Sequence, residues 1–352
     1  MFEKTKGLIF GGVGKLYPSV AYAFGVNDTV LESDIIGNRA EQPITLPATR
    51  DTLFDLASLT KIVCTTMIAL KFIEQGRLNL TDKISKFLDN CSNFQDCEIR
   101  ELLTHSSGLS AWEPLFKLES PNEVLSEILK SEPQQKSANY SCMGYIVLGK
   151  ILEKIGGESL DKLAEREVFK PLKMNDTMFN PDKSRPIASC EKDEQTGEYL
   201  TGIVHDENAR FLGGVAGNAG VFSTLDDMII FAKMCACAGK ANDDSQYLSP
   251  DTFKKAITNY TPNDKESRGL GFQLKGAQPF SGGDNFSVGS FGHTGYTGTS
   301  MYIDKQSGLW GVLLTNAVHY GRAKKPEFNA KRKEIFNSLL DEYKNLLKEK
   351  KI

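Results

Sequence analysis

Ser58 and Lys61 stand three residues apart where a polar segment of the chain turns into the apolar run 62–70. A lysine one helical turn after a serine can accept the proton of the seryl hydroxyl, which then attacks a carbonyl carbon. The helix macrodipole disfavours a cation in the first turn, and partial burial lowers the pKa of an amine. The pair therefore predicts a nucleophile, Ser58, with a neutral Lys61 as its base.

Ser58 could instead cap a helix, because serine accepts hydrogen bonds from first-turn amides. A capping box would place Glu or Gln, rather than Lys, three residues further on. The same spacing also occurs at Ser159 to Lys162 and at Ser189 to Lys192. Ser159 opens an ordinary amphipathic helix and Ser189 has no periodic apolar surroundings, so these pairs indicate a helix cap or a solvated surface. We favour Ser58 as the nucleophile.

The composition is that of an ordinary globular protein, with 352 residues, 40% hydrophobic and 25% charged. A net charge of -3 provides no electrostatic reason to expect nucleic acid or an anionic membrane as a partner. No apolar stretch approaches the roughly 18 residues of a membrane span. Lys15 and Pro18 interrupt the N-terminal apolar stretch, which argues against a signal peptide.

The seven cysteines are scattered, and their odd number favours reduced thiols in a cytoplasmic protein. Cys235 and Cys237, in a chain with only four histidines, do not form a zinc pattern. We therefore expect neither a metal nor a cofactor.

Strand-like segments lie near both termini, and the middle of the chain is helical in character. This predicts an α/β (α+β) fold in which an antiparallel sheet, built from both termini and flanked by helices, carries an inserted, mainly helical domain. We expect one catalytic unit over 1–352, with an α/β subdomain at about 1–60 plus 265–352 and a helical subdomain at about 61–264. The predicted strands are 20–30, with a turn at Asn27-Asp28, then 53–56, 272–274, 300–304 and 310–315. The main predicted helices are 62–75, 144–155, 225–238 and 328–347.

A polar, Pro-containing loop is expected between the strands at 20–30 and 53–56. The glycine-rich segment 213–220 lacks the lysine of a phosphate-binding loop. We interpret it as a tight loop packed against the wall of an active site.

Two further segments could complete a serine hydrolase. Tyr140-Ser141-Cys142 precedes the helix at 144–155, and His293-Thr294-Gly295 precedes a predicted strand. With these elements in this order, the chain resembles the serine beta-lactamase and penicillin-binding-protein superfamily. The closer resemblance is to its class C branch, which includes D-aminopeptidases, D-alanyl-D-alanine carboxypeptidases and beta-lactamase-like esterases. The segments that carry it are 54–61, 102–109, 140–149, 171–174, 205–208, 213–220, 292–299 and 314–316.

The resemblance implies a role for each matching residue. Ser58 matches the acylated nucleophile, Lys61 its base, and Tyr140 the relay that carries a proton to the leaving group. The backbone amides of Ser58 and Tyr296 match the oxyanion hole. Four residues stand at the family's substrate-binding positions, namely Cys142, His293, Thr294 and Gly295.

The chain departs from the family pattern at two positions. Cys142 replaces the usual Asn or Asp, and His293 replaces a lysine that attracts a substrate carboxylate. A histidine is largely neutral near pH 7 unless its surroundings perturb it. His319 or Arg322, near the end of the last strand, could restore positive charge.

These features predict a metal-independent serine hydrolase that acts through an acyl-enzyme on an ester or amide. Its substrate would be a small molecule or a short peptide, with cell-wall-derived fragments among the candidates. Two alternatives stay open. One is a pseudoenzyme that binds peptidoglycan-like ligands or a protein partner, and the other is a true class C beta-lactamase or D-Ala-D-Ala carboxypeptidase.

Overall fold

The structure is a computed structural model that describes residues 1–243, 245–277 and 279–349. Its strands are β1 (Ser19–Val26), β2 (Thr29–Ala40), β3 (Leu46–Pro47), β4 (Phe54–Asp55), β5 (Met178–Phe179), β6 (Val221–Ser223), β7 (Gln273–Leu274), β8 (Phe291–Thr294), β9 (Ser300–Ile303) and β10 (Leu309–Thr315). Its α-helices are α1 (Glu3–Phe10), α2 (Thr66–Glu74), α3 (Ile99–Leu103), α4 (Val124–Lys130), α5 (Cys142–Gly156), α6 (Leu160–Ala164), α7 (Lys170–Leu172), α8 (Glu207–Phe211), α9 (Leu225–Ala236), α10 (Pro250–Ala256) and α11 (Lys325–Lys348).

A seven-stranded antiparallel sheet dominates the described residues, in the order β3-β2-β1-β10-β9-β8-β7. The two ends of the chain meet at its centre, where Val20 lies opposite Thr315 and Val26 lies opposite Leu309. This confirms the predicted fold class, an antiparallel sheet built from both termini. The division into two subdomains stays a prediction.

The central strand β1 is buried on both faces of the large sheet, and its alternate residues point to opposite sides. Tyr22 and Phe24 pack with residues of α1 and α11. Ala21 and Ala23 join the larger core, which also contains buried residues of α2, α5 and α9. The small alanine side chains let α9 approach the sheet closely, and α9 contacts both β1 and β10.

The structure corrects several expected elements. Residues 31–40, where a polar loop was predicted, belong to the long strand β2. Their polar side chains are tolerated because most of the strand is only partly buried. Phe54 and Asp55 leave the large sheet and join a second described sheet of three strands, β4-β6-β5. The first helix, α1, was missed because it is short and only weakly amphipathic.

The predicted helices at 62–75, 144–155, 225–238 and 328–347 are all present within a few residues. Gly76 and Gly157, just beyond the first two, have φ of 70° and 76°. A left-handed residue of this kind commonly ends a helix, and glycine adopts it without a steric penalty. Across the described ranges, no helix has the combined length and apolar character that crossing a bilayer would require.

The glycine-rich loop 213–220 packs on α5, and Gly217 makes the closest approach. A Cβ atom built on Gly217 would lie 2.0 Å from the carbonyl oxygen of Tyr145. We predict that Gly217→Ala lowers the free energy of unfolding by about 1–3 kcal/mol, the usual cost of forcing atoms into a packed interior. Urea denaturation measures this change.

Gly7→Ala is the matched control, because nothing lies within 4 Å of a Cβ at position 7 of α1. It should leave stability unchanged or raise it slightly. Equal unfolding free energies for the two variants would contradict the close packing of the loop.

Candidate active site

Ser58 sits on a sharp turn between β4 and the helix that follows. Ala57 has a φ of 46°, a left-handed conformation that costs a residue other than glycine about 1–3 kcal/mol. The Ala57 N–H donates to Asp55 Oδ1 at 2.8 Å, and the Leu56 N–H donates to the carbonyl of Val221 at 2.9 Å. These bonds hold the strained turn, which leaves the Ser58 side chain partly exposed.

The Ser58 side chain does not cap the helix in the described structure. A 3₁₀ turn covers Ala57–Leu59 and a π-helical turn covers Lys61–Thr65, and no side-chain cap hydrogen bond is present at the start of either. Instead, the Lys61 Nζ donates to Ser58 Oγ at 3.0 Å. The serine therefore faces the lysine, as the nucleophile interpretation requires.

Lys61 is completely buried, and its amine contacts three acceptors. Besides Ser58 Oγ, its Nζ lies 2.8 Å from the carbonyl oxygen of Asn218 and 3.5 Å from Cys142 Sγ. An ammonium group would donate all three of these hydrogen bonds, whereas a neutral amine would donate two and accept the hydrogen of the Ser58 hydroxyl. Burial lowers the pKa of Lys61, but the ionisable groups of Cys142 and Tyr140 outweigh it and raise the pKa overall. The raised pKa favours the charged form of Lys61 over the neutral amine that was predicted.

The glycine-rich loop 213–220 lies beneath this amine. Its Asn218 carbonyl binds Lys61, and its Gly217 carbonyl accepts from Thr65 Oγ1 at 2.7 Å. Thr65 closes the π-helical turn that Lys61 opens. Close approach of the loop backbone, which the glycine at 217 permits, supplies the acceptor that Lys61 needs.

Tyr140 and Cys142 reach the site from the start of α5. Ser141 caps this helix by accepting from the Gly144 N–H at 3.0 Å. The Ser141 N–H donates to His105 Nδ1 at 3.0 Å, and the His105 ring lies 4.6 Å from the Tyr140 ring, centroid to centroid. Sequence reasoning missed this contact, in which a buried histidine fixes the segment carrying Tyr140.

Two cations face the Tyr140 ring. Lys61 Nζ lies 5.0 Å from its centroid, and Arg268 Cζ lies 5.4 Å from it. Burial raises the pKa of the Tyr140 phenol, and Lys61 lowers it again in part. Arg268, only 4% exposed, donates from Nε to Glu266 Oε2 at 2.8 Å. No motif marks Arg268, so only the tertiary structure reveals it.

His293 and Thr294 end β8, a strand that was not predicted, and Gly295 begins the turn to β9, which corresponds to the predicted strand 300–304. His293 is 4% exposed and its Nδ1 lies 2.8 Å from the Thr294 carbonyl oxygen. Its Nε2 is buried and has no partner among the described residues. Burial, with Arg268 and Lys61 nearby, holds the pKa of His293 well below its ordinary value. The lowered pKa favours the neutral ring of His293.

Gly295 brings this turn against the Ser58 segment, since a Cβ built on it would lie 2.4 Å from the Leu56 carbonyl oxygen. Tyr296, next in sequence, is 39% exposed. Its ring stacks on the His205 ring with centroids 5.5 Å apart. The backbone amides of Ser58 and Tyr296 thus belong to segments in direct contact.

His319 and Arg322 do not bring free positive charge to the site. His319 Nδ1 lies 3.0 Å from the carbonyl oxygen of Cys190. Arg322 forms ion pairs with Glu191 and Glu207, at 2.5 Å and 2.6 Å. Its guanidinium lies 5.6 Å from the centroid of the Tyr296 ring. Arg268, which is itself ion-paired with Glu266, is the cation that faces the Tyr140 ring.

The structure gathers Ser58, Lys61, Tyr140 and Cys142 at one place, with the segment 293–296 alongside. Such a site offers a hydroxyl nucleophile, a buried cation and a phenol that can exchange protons. Within the described ranges, no cluster of three or more His, Cys, Asp or Glu side chains could hold a metal ion.

Known proteins resemble this chain over most of its length. The family model described as Beta-lactamase matches residues 14–333. An Escherichia coli K12 protein provisionally named D-alanyl-D-alanine carboxypeptidase is 31% identical over 323 residues, which cover 79% of this chain and 72% of the relative. An N-acetylmuramyl-L-alanine amidase of Bacillus subtilis is 30% identical, with coverage of 76% and 68%.

A solved class C beta-lactamase mutant superposes with a TM-score of 0.79 at 18% identity, over 97% of each chain. This similarity concerns the fold. Together with the family match and the named relatives, it identifies the chain as a member of the Beta-lactamase family and a serine hydrolase related to the penicillin-binding proteins.

Proposed function

We propose that Ser58 attacks the carbonyl carbon of an ester or amide and forms an acyl-enzyme, which water then hydrolyses. The observation that carries this proposal is the 3.0 Å contact between Ser58 Oγ and the buried Lys61 Nζ, beside the Tyr140 ring. The backbone amides of Ser58 and Tyr296 would stabilise the oxyanion, and loss of one such donor typically costs about 2.7–4 kcal/mol in the barrier.

Tyr140, rather than Lys61, would act as the base. An ammonium group has no lone pair and cannot accept the Ser58 proton. The phenolate of Tyr140 can accept it. Burial raises the pKa of Tyr140 overall, and the positive charge of Lys61 offsets part of that rise in favour of the phenolate. The proton then passes from Tyr140 to the leaving group. During deacylation, Tyr140 takes a proton from the attacking water. It returns this proton to Ser58 Oγ when the acyl group leaves.

The proposed substrates are esters and amides related to cell-wall fragments. The named relatives, a carboxypeptidase and an amidase, support an amide bond as the point of attack. Thr294 and Gly295 would line the site beside the substrate backbone. Cys142 lies 3.5 Å from Lys61 Nζ, so its sulfur faces the amine. A neutral His293 would contribute no attraction for a carboxylate.

A second candidate is hydrolysis of peptides that carry a free C-terminal carboxylate. The buried cation Arg268, beside the Tyr140 ring, favours it. Arg268 would supply the charge that His293 lacks. The two candidates share one site and differ in the charge of the leaving group.

We predict that a fluorophosphonate probe adds to Ser58 and that Ser58→Ala abolishes the adduct, because the probe requires an activated hydroxyl. Intact mass spectrometry measures the adduct. Ser159→Ala is the matched control, since Ser159 also precedes a lysine by three residues but lies before α6. Equal labelling of Ser58→Ala and wild type would contradict the assignment of the nucleophile.

Acylation by a neutral ester should accelerate with rising pH. The active form contains the Tyr140 phenolate, and burial raises the pKa of Tyr140. Raising the pH toward that pKa therefore increases the fraction of enzyme molecules that carry the phenolate. The pKa of Lys61 is raised as well, so loss of its charge does not reverse the trend at moderate pH. Burst rates between about pH 6 and pH 10 test this.

Tyr140→Phe should lower the acylation rate by about 10²–10⁴-fold and flatten the pH profile, because it removes the proton acceptor. A wild-type rate that is independent of pH over the same range would exclude Tyr140 as the base.

Arg268→Gln should separate the two candidate substrate classes. If Arg268 binds a carboxylate, its loss should lower kcat/KM for a D-alanyl-D-alanine peptide by about 10-fold or more, since hydrogen bonds to charged groups contribute about 1.5–3 kcal/mol. Neutral p-nitrophenyl esters should react at nearly the wild-type rate. Arg268→Lys, which keeps the charge, is the control. Equal losses for both substrate classes would mean that Arg268 only supports the structure.

A further inference from the structure

The two amides assigned above to the oxyanion site come from different sheets. Ser58 follows β4, which pairs with β6 in the three-stranded sheet. Tyr296 follows β8, which pairs with β7 and β9 in the seven-stranded sheet. None of these strand pairings spans the gap between the two amides, so other contacts must set their separation.

Two buried threonines of the β8 to β9 turn bridge this gap. Thr297 Oγ1 donates to the carbonyl oxygen of Asp55 at 2.7 Å. Thr299 Oγ1 donates to the carbonyl oxygen of Leu56 at 2.9 Å. Thr297 and Thr299 are 1% and 0% exposed, so water does not compete for these carbonyls. Both accepting residues immediately precede the turn that carries Ser58.

Asp55 also acts through its carboxylate, which is 2% exposed. Oδ1 accepts from the Ala57 N–H at 2.8 Å, and Oδ2 accepts from the His205 N–H at 2.7 Å. The first bond holds the left-handed residue before Ser58. The second positions His205, whose ring stacks on Tyr296 at an interplanar angle of 21°. One buried residue thus contacts both halves of the site.

We infer that Asp55 and Thr297 are positioning residues that hold the Ser58 and Tyr296 amides at the separation an oxyanion requires. This inference rests on the proposed function. Oxyanion contacts strengthen as the carbonyl becomes tetrahedral, so a change in their spacing acts on the acylation rate more than on substrate binding. A displacement of about 1 Å can cost about 10²-fold in rate.

Thr297→Val tests the inference, because valine keeps the shape of threonine and removes the hydroxyl that binds Asp55. We expect an acylation rate about 10–100-fold lower with an unchanged KM. Affinity for a boronic acid that forms a tetrahedral adduct with Ser58 should fall in parallel. Thr297→Ser restores the hydroxyl and should return the rate to within about 3-fold of wild type, within the usual context dependence of such effects.

Thr315→Val is the matched control. Thr315 is 2% exposed, and its Oγ1 donates to the Gly298 carbonyl of the same turn at 3.0 Å, without contacting the Ser58 segment. The Thr315→Val variant should lose about as much thermal stability as Thr297→Val and keep the wild-type acylation rate. Should Thr297→Val fail to fold, Thr299→Val and Thr299→Ser replace it, because Thr299 makes the parallel bond to Leu56.

The outcomes separate the inference from the proposed function. A wild-type enzyme that gains no acyl adduct at Ser58 overturns the proposed function, and the inference with it. A wild-type enzyme that acylates, with Thr297→Val matching Thr315→Val in rate and boronate affinity, overturns the inference alone. A rate loss confined to Thr297→Val and rescued by Thr297→Ser supports it.

Discussion

The buried positive charge of Lys61 constrains the rest of the site. An ammonium group removed from water is costly unless hydrogen bonds and nearby negative charge compensate it. Its three acceptors here are a backbone carbonyl, a hydroxyl and a sulfur, and the ionisable groups of Cys142 and Tyr140 raise its pKa. The rings of Tyr140 and Tyr145, with centroids 5.0 Å and 5.7 Å from Nζ, add cation–π attraction. Much of the surrounding structure serves to supply these partners.

That requirement explains several features that look unrelated along the chain. The Gly217 backbone must approach α5 closely for the Asn218 carbonyl to reach the amine. Thr65 anchors the same loop from the π-helical turn. His105 fixes the start of α5, so that Tyr140 presents its face to Lys61. A change in any of these parts would leave the charge with fewer partners.

The nucleophile is placed by a second set of contacts, which join two sheets rather than surround a charge. A strained turn is stable only when its surroundings determine it. Asp55 and the threonines of the β8 to β9 turn provide such surroundings for Ala57 and Ser58. The strain and the assembly of the site are therefore linked, because the same bonds maintain both.

The local pattern of the sequence was sufficient for the main elements, and the family resemblance for the positions that meet at the site. Helix α5 and strands β1, β9 and β10 were predictable, because burial on one or both faces imposes a periodicity that can be read directly. Strand β2 was not, because a partly exposed strand tolerates polar side chains. The motifs at Ser58, Tyr140 and His293 were recognisable because they are short and ordered along the chain.

Protonation and spacing were decided only by the tertiary structure. Position and burial alone predicted a neutral Lys61, but its pKa depends on Cys142 and Tyr140, which lie far away in sequence. Arg268 belongs to no motif and reaches Tyr140 through the fold. The bond from Thr297 to Asp55 joins residues 242 positions apart. The sequence alone thus determined which groups meet and the sheet that supports them, whereas their charges and separations arise from contacts between distant segments.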